Sequence, residues 1–146
     1  MDRFVRQFIK SSLIWLGTGV VLGVLMAFLP GRVIQLRSAH MHANLLGFVS
    51  MMIFGVAYHV LPRFVGRALF APRLAGLHVV IANAGLLLQV AGWISGGYRS
   101  PGMWLLRFGG TLSATGAFLF IYNIWRTLGS SLTPLQRAVN QPRGVS

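Results

Sequence analysis

Four long apolar stretches separated by short polar turns dominate the pattern of the chain. They cover roughly residues 11–29, 41–62, 74–98 and 108–125 and contain almost no charged residues. A helix needs about 20 apolar residues to cross the hydrocarbon core of a bilayer, so each stretch is long enough to span a membrane. The pattern predicts an all-α fold, an integral membrane four-helix transmembrane bundle. We expect residues 1–128 to form a single domain and residues 129–146 to form a flexible cytoplasmic tail.

The charge of the chain is strongly positive, with 13 Lys and Arg against a single acid, Asp2, and a net charge of +12. The basic residues lie beside the apolar stretches instead of forming a patch with interleaved aromatics, so we expect the lipid bilayer as partner and no nucleic acid. Nine flank one side of the predicted bundle and four flank the other: Arg3, Arg6, Lys10, Arg63, Arg67, Arg73, Arg126, Arg137 and Arg143 against Arg32, Arg37, Arg99 and Arg107. The positive-inside rule then predicts that both termini are cytoplasmic, in a bacterial inner membrane.

The near absence of acids and the absence of cysteine exclude several kinds of site. One carboxylate cannot form a general acid/base pair or a Ca²⁺ or Mg²⁺ cage. With no cysteine, the chain has no thiolate zinc site, iron–sulfur cluster or Cys-x-x-Cys-His haem attachment. A bound metal or cofactor would therefore be held by His and Met.

Two of the four histidines, His40 and His42, open the second apolar stretch. Steps of 100° per residue place small and polar residues on the face of His40: Ala43, Asn44, Gly47, Met51 and Tyr58. The same steps place apolar residues on the face of His42: Leu45, Leu46, Val49, Ile53 and Val60. We therefore predict that His40 points into the bundle and that His42 faces lipid or plain packing. Gly47 would leave room for a flat macrocycle beside His40; the alternative for His40 is a hydrogen-bonded interfacial histidine.

The other two histidines, His59 and His78, lie at a similar depth near the opposite end of the bundle. The face of His78 consists of small and polar residues and is predicted to be buried. We expect the two side chains to meet, as a second haem site, a metal site or a hydrogen-bonded pair. His40 is 19 residues from His59, about 28 Å along a helix, so it belongs to a separate site.

Arg107 is the one cation inside a predicted span. The residues that follow on its face are small and polar, which predicts an inward side chain. With no carboxylate nearby, it would need backbone carbonyls, snorkelling or an anionic ligand such as a haem propionate. Met26 and Met103 lie in the same layer and are candidate sixth ligands to a haem iron.

The stretch from His40 to Arg63, HMHANLLGFVSMMIFGVAYHVLPR, resembles the second helix of subunit I of haem–copper oxidases, particularly the cbb-type oxidases and nitric oxide reductases. Its His-x-His-x(4)-Gly-Phe register also resembles NnrS-like haem and copper membrane proteins. The resemblance implies that His40 ligates haem b and that Gly47 and Gly55 act as spacing residues.

A complete oxidase core has twelve helices and six metal-ligating histidines, so we expect a smaller haem b protein and not a complete terminal oxidase. Its expected role is electron transfer, or handling or sensing of a diatomic gas such as NO or O₂, together with a respiratory-chain redox partner. We also expect a homo-oligomer, since symmetry could supply a missing ligand. The alternative is a haem-free accessory protein for respiratory-complex assembly or copper passage, with His40, Met41 and His42 as a transient metal site.

Overall fold

The computed structural model describes residues 1–129, and it consists of four long helices joined by short turns. The helices are α1 (Arg3–Phe28), α2 (Pro30–Phe64), α3 (Pro72–Ile94) and α4 (Gly102–Gly129). Each is long and apolar enough to cross a membrane, and no strand occurs in the described residues. The predicted four-helix transmembrane fold is confirmed. The predicted cytoplasmic tail lies outside the described residues beyond Gly129, and the orientation stays a prediction.

The bundle has two ends, named here after the prolines of α2. The Pro30 end contains the turn between α1 and α2 and the turn between α3 and α4. The Pro62 end contains the chain start, the connection from Phe64 to Pro72 and the end of α4. Consecutive helices pack as two hairpins, α1 with α2 and α3 with α4, and the first half of α2 packs against α3. The second half of α2 meets α4 only sparsely.

The second helix changes its winding in the middle. It begins with a 3₁₀ turn, continues as α-helix over Val33–His42, becomes π-helical over Ala43–Ser50 and returns to α-helix over Met51–Phe64. Hydrogen bonds in a π-helix join residues i and i+5, so the phase of the helix shifts there. A constant rotation of 100° per residue therefore does not relate the side chains before this segment to those after it.

Glycines at a seven-residue spacing line the contact between α3 and α4. They are Gly85 and Gly92 on α3 and Gly102 and Gly109 on α4. A Cβ added to Gly109 would lie 2.7 Å from the carbonyl oxygen of Gly85, and one added to Gly102 would lie 2.5 Å from that of Gly92. No side chain fits there, so the two backbones approach directly, as small residues allow in membrane helices.

Polar side chains of α4 fix the connection at the Pro62 end. Asn123 accepts a hydrogen bond from the backbone N–H of Ala71 at 3.0 Å and donates one to the carbonyl of Ala71 at 2.9 Å. The hydroxyl of Thr127 accepts one from the N–H of Phe70 at 3.0 Å. Both side chains are buried. These bonds satisfy backbone groups just before α3 begins, where no helical partner is available.

Candidate functional site

His42 lies at the Pro30 end, half-buried between α2 and α3. Its Nδ1 lies 2.8 Å from the carbonyl oxygen of Ser38, and its ring centroid lies 5.8 Å from that of Trp93. The sequence predicted lipid or plain packing around His42, and of these two the structure shows packing, against Trp93. Leu45 and Ile53, further along, are exposed as predicted.

A cavity of about 380 Å³ opens beside His42. Its walls come from α2, α3, the turn after α3 and α4: His42, Gln89, Trp93, Tyr98, Met103, Leu106 and Arg107. It therefore brings together three of the residues proposed from sequence, His42, Met103 and Arg107. The volume lies in the usual range of small-molecule and cofactor pockets.

Two groups at this cavity favour a negatively charged or hydrogen-bond-accepting ligand. The guanidinium of Arg107 lies 5.0 Å from the ring centroid of Trp104, a cation–π distance. The indole Nε1 of Trp93 is buried and has no hydrogen-bond partner. The one acid of the chain, Asp2, belongs to the opposite end of the bundle. The exposed guanidinium of Arg107 is thus available to a ligand that brings its own acceptor oxygens, and the covered indole N–H of Trp93 lies in the wall beside it.

The orientation predicted for Arg107 is wrong within this chain. Arg107 and the residues that continue its face, Thr111, Ala114 and Thr115, are exposed. The opposite face of α4 is buried against α3 because its glycines permit the closer approach. Arg107 therefore lies at the rim of the cavity, where its side chain can still reach a ligand from the lipid or water side.

His40 points into the bundle, as predicted, and it faces α1. Its Nδ1 lies 2.7 Å from the carbonyl oxygen of Gly19, and its ring edge is 3.2 Å from the position of a Cβ on Gly23. Its Nε2 lies 3.4 Å from the amide nitrogen of Asn44. His40 thus occupies the contact between α1 and α2, and it is not among the residues that line the cavity.

Gly47 permits a helix contact. A Cβ at this position would lie 2.5 Å from Cβ of Trp15 and 2.9 Å from Cδ2 of Leu86. The indole of Trp15 also donates a hydrogen bond to Oδ1 of Asn83 at 3.1 Å. Trp15 and Leu86 fill the space beside Gly47, so the packing does not support its predicted role beside a macrocycle.

His59 and His78 have different partners. His59 is half-buried, and its ring Nδ1 accepts a hydrogen bond from the guanidinium of Arg63 at 2.9 Å; Arg63 also donates to the carbonyl of His59. His78 is fully buried, and its Nδ1 lies 3.2 Å from the hydroxyl of Tyr58. The predicted burial of His78 is confirmed. Its contact with His59 stays a prediction that these partners do not support.

Within residues 1–129, no three His, Cys, Asp or Glu side chains come together to hold a metal ion. A site that needs one or two protein ligands, such as a haem site, is compatible with the residues at the cavity.

Sequence reasoning missed Trp93 and Gln89 as cavity residues. Gln89 is the polar side chain in the middle of the third apolar stretch, and its amide donates to Oγ of Ser113 at 2.7 Å. A polar residue inside an apolar stretch can be recognised in the sequence, so Gln89 could have been proposed. The position of Trp93 opposite His42 depends on how two helices dock, and the sequence gives no local signal for it.

The chain is similar to subunit I of cytochrome c oxidases. It is 25% identical over 154 aligned positions to the cbb3-type cytochrome c oxidase subunit CcoN1 of Stutzerimonas stutzeri, covering 85% of this chain and 32% of that protein. It is 27% identical to cytochrome c oxidase subunit 1 of Rhodobacter capsulatus, covering 70% of this chain and 24% of that protein. It is 30% identical to a cytochrome c oxidase subunit 1 homolog of Agrobacterium tumefaciens, covering 62% and 18%.

These relatives confirm the predicted resemblance to haem–copper oxidase subunit I. The chain spans at most a third of the length of the relatives it matches. No protein-family model matches the chain, and no solved structure matches it significantly. Together with the four apolar helices, the similarity supports a multi-pass membrane protein related to subunit I.

Proposed function

Proceeding from that relationship, we propose that this protein binds haem b in the cavity at the Pro30 end and acts in electron transfer or in the handling of a diatomic gas. The observation that carries the proposal is the cavity itself, which gathers a histidine, a methionine and an arginine from two different helices. We propose the inner membrane of a bacterium as its location, with both termini cytoplasmic.

His42 is the proposed iron ligand. The carbonyl of Ser38 can only accept a hydrogen bond, so the contact at 2.8 Å holds the proton on Nδ1. The lone pair is then on Nε2, the nitrogen that is free to bind a metal. A backbone carbonyl on the second ring nitrogen is the usual way in which a ligating histidine is oriented. We propose the thioether of Met103, at the same cavity, as the second ligand to the haem iron.

Arg107 and Trp93 would hold the haem propionates. A propionate would supply the partners that these two groups do not have: a negative charge for the exposed guanidinium and an acceptor oxygen for the unpartnered indole N–H. Such charge-assisted hydrogen bonds are stronger than neutral ones. When bound, haem supplies a one-electron redox couple and, with a free coordination position, a site for a gas ligand.

The sequence resemblance assigns the role of iron ligand to His40, whereas the proposal above assigns it to His42. One pair of variants separates these two assignments. The carbonyl of Gly19 similarly leaves Nε2 of His40 without the proton, but its neighbours are Asn44 and α1 instead of an open cavity. We expect His42→Ala to abolish the Soret absorbance of the protein purified from haem-supplied cells, and His40→Ala to retain it. Membrane fractionation and size-exclusion elution check that both variants insert and fold.

The opposite result, loss with His40→Ala and retention with His42→Ala, would move the haem to the contact between α1 and α2. A parent protein without a Soret band under haem supply would overturn the haem proposal altogether.

The same cavity supports one further candidate, a haem-free role in copper passage. Imidazole and thioether are ligands that Cu(I) accepts, and His42 and Met103 both line the cavity. In this case the purified protein would bind Cu(I) without a Soret band, and Met103→Leu would lower its copper content. The copper assignment fails if copper content is equal in Met103→Leu, His42→Ala and the parent.

A further inference from the structure

A second cavity, of about 190 Å³, lies in the middle of the bundle beside His78. We call it the His78 cavity. It is bordered by α2, α3 and α4, and its walls include Met51, Phe54, Ser113 and Ala117. Its edge reaches the lipid-facing surface, since Phe54, Ser113 and Ala117 are only half-buried. It lies where α2 and α4 pack sparsely and is separate from the cavity beside His42.

His78 lines this cavity and carries an unused hydrogen-bonding group, whose position is next to Gly116 of α4. The residue is fully buried, and its Nε2 has no hydrogen-bond partner. Its Nδ1 is occupied by the hydroxyl of Tyr58 at 3.2 Å. Its ring is held among aromatic rings, with centroid distances of 4.7 Å to Phe54 and 4.8 Å to Phe8. Leaving such a buried polar atom unpaired is unfavourable.

The tautomer of His78 restricts the group that can pair with Nε2. Tyr58 can donate to Nδ1, which leaves an N–H on Nε2, or accept from it, which leaves a lone pair. A hydroxyl both donates and accepts, so it satisfies Nε2 in either case. Ser113 offers a second contact, because its oxygen already accepts from Gln89 at 2.7 Å and its own hydrogen remains to be donated.

Volume and charge restrict the rest of the ligand. An apolar cavity of about 150 Å³ holds a benzene molecule, so the His78 cavity has the size for one six-membered ring with a substituent. Apart from His78, its walls consist of uncharged side chains. A charged ligand would be buried without a countercharge, which is strongly unfavourable.

We propose that the His78 cavity binds a small, uncharged, mainly apolar molecule with one hydroxyl group, of the size of a phenol, which enters from the lipid side. His78 and Ser113 recognise the hydroxyl, and Phe54 and Met51 contact the ring. This site does not depend on the proposed haem function.

The test uses the full chain in lipid nanodiscs with ¹⁵N-labelled histidine and two probes, 4-fluorophenol and 4-fluorotoluene, which differ by the hydroxyl. We expect 4-fluorophenol to shift the ¹⁵N signal of Nε2 of His78 in a saturable way, with at least tenfold higher affinity than 4-fluorotoluene. Ala117→Phe should fill the cavity and lower the 4-fluorophenol affinity at least tenfold with His78 still present. Ala114→Phe, on the exposed face of α4, is the matched control and should leave the affinity unchanged.

A second variant, His78→Phe, removes the hydrogen-bonding group, and binding is then followed by ¹⁹F spectra of the probe. It should lose most of the preference for 4-fluorophenol over 4-fluorotoluene, with only the contribution of Ser113 remaining. The proposal is overturned if the parent binds both probes equally, or if Ala117→Phe binds 4-fluorophenol as the parent does. It is also overturned if 4-fluorophenol never shifts the His78 signal, which would mean that water alone fills the cavity.

Discussion

Adding a single methyl group at Gly109 should separate α3 from α4. In Gly109→Ala the new Cβ would lie 2.7 Å from the carbonyl oxygen of Gly85 and 2.8 Å from the backbone nitrogen of Gln89. Both are backbone atoms, so relief requires the helices to move apart. Gly110 is the matched control, because a Cβ there meets nothing within 4 Å and it is the next residue of the same helix.

The expected magnitude follows from this difference in surroundings. Overpacking a close contact costs about 1–3 kcal/mol, whereas Ala in place of an unencumbered helical Gly gains up to about 1 kcal/mol. Gly109→Ala should therefore unfold with a free energy about 1–3 kcal/mol lower than that of the parent, and Gly110→Ala should match or exceed the parent.

Reversible unfolding in mixed micelles measures the effect. The fraction of SDS is increased, and the loss of native structure is followed by tryptophan fluorescence and circular dichroism. Equal unfolding midpoints for Gly109→Ala and Gly110→Ala would refute the close backbone contact between α3 and α4. A deficit in Gly109→Ala should also weaken ligand retention at the cavity beside His42, because Gln89 and Leu106 line it from the two helices.

Three further predictions concern other parts of the molecule. Asn123→Leu should lower the free energy of unfolding by about 1–3 kcal/mol, because the N–H and carbonyl of Ala71 lose their partner; unchanged SDS unfolding would contradict this. A reporter that is active only in the periplasm, fused after Ser146, should give no signal, and a strong signal would reverse the proposed orientation. Haem retention, measured by transfer of haem to apomyoglobin, should be highest in the parent, lower in Arg107→Lys and lowest in Arg107→Ala. The loss in Arg107→Ala should be about ten- to a hundredfold, because the guanidinium fork contributes about 1.5–3 kcal/mol. Equal retention in all three proteins would show that the side chain of Arg107 only extends to the lipid headgroups.

The four helices could be predicted from hydropathy because each apolar stretch exceeds the length that a bilayer requires. The buried face of α3 could also be predicted. From His78 to Gly92 this helix is regular, so a constant 100° step describes it, and the polar and small positions coincide with its buried side.

The surroundings of His42 and Arg107 could not be predicted in the same way. A π-helical segment after His42 changes the phase of α2, and no residue type in that segment indicates it. On α4, small residues occur on two faces, and the face with Gly109 is the one that packs. Which of two small faces is buried depends on the partner helix, and this information is not contained in the periodicity of α4.

The length of α2 determines how deep the proposed haem site lies. The helix has 35 residues, about 52 Å at 1.5 Å per residue, against a hydrocarbon thickness of about 30 Å. Fitting it by tilt alone would need about 55°, beyond the range of about 0–40° seen for membrane helices. If Arg63 and its basic neighbours hold the Pro62 end at the interface, the surplus of about four turns extends past the hydrocarbon at the other end. His42 then lies at the headgroup boundary, so the proposed haem site would open toward the water side of the membrane and not toward its middle.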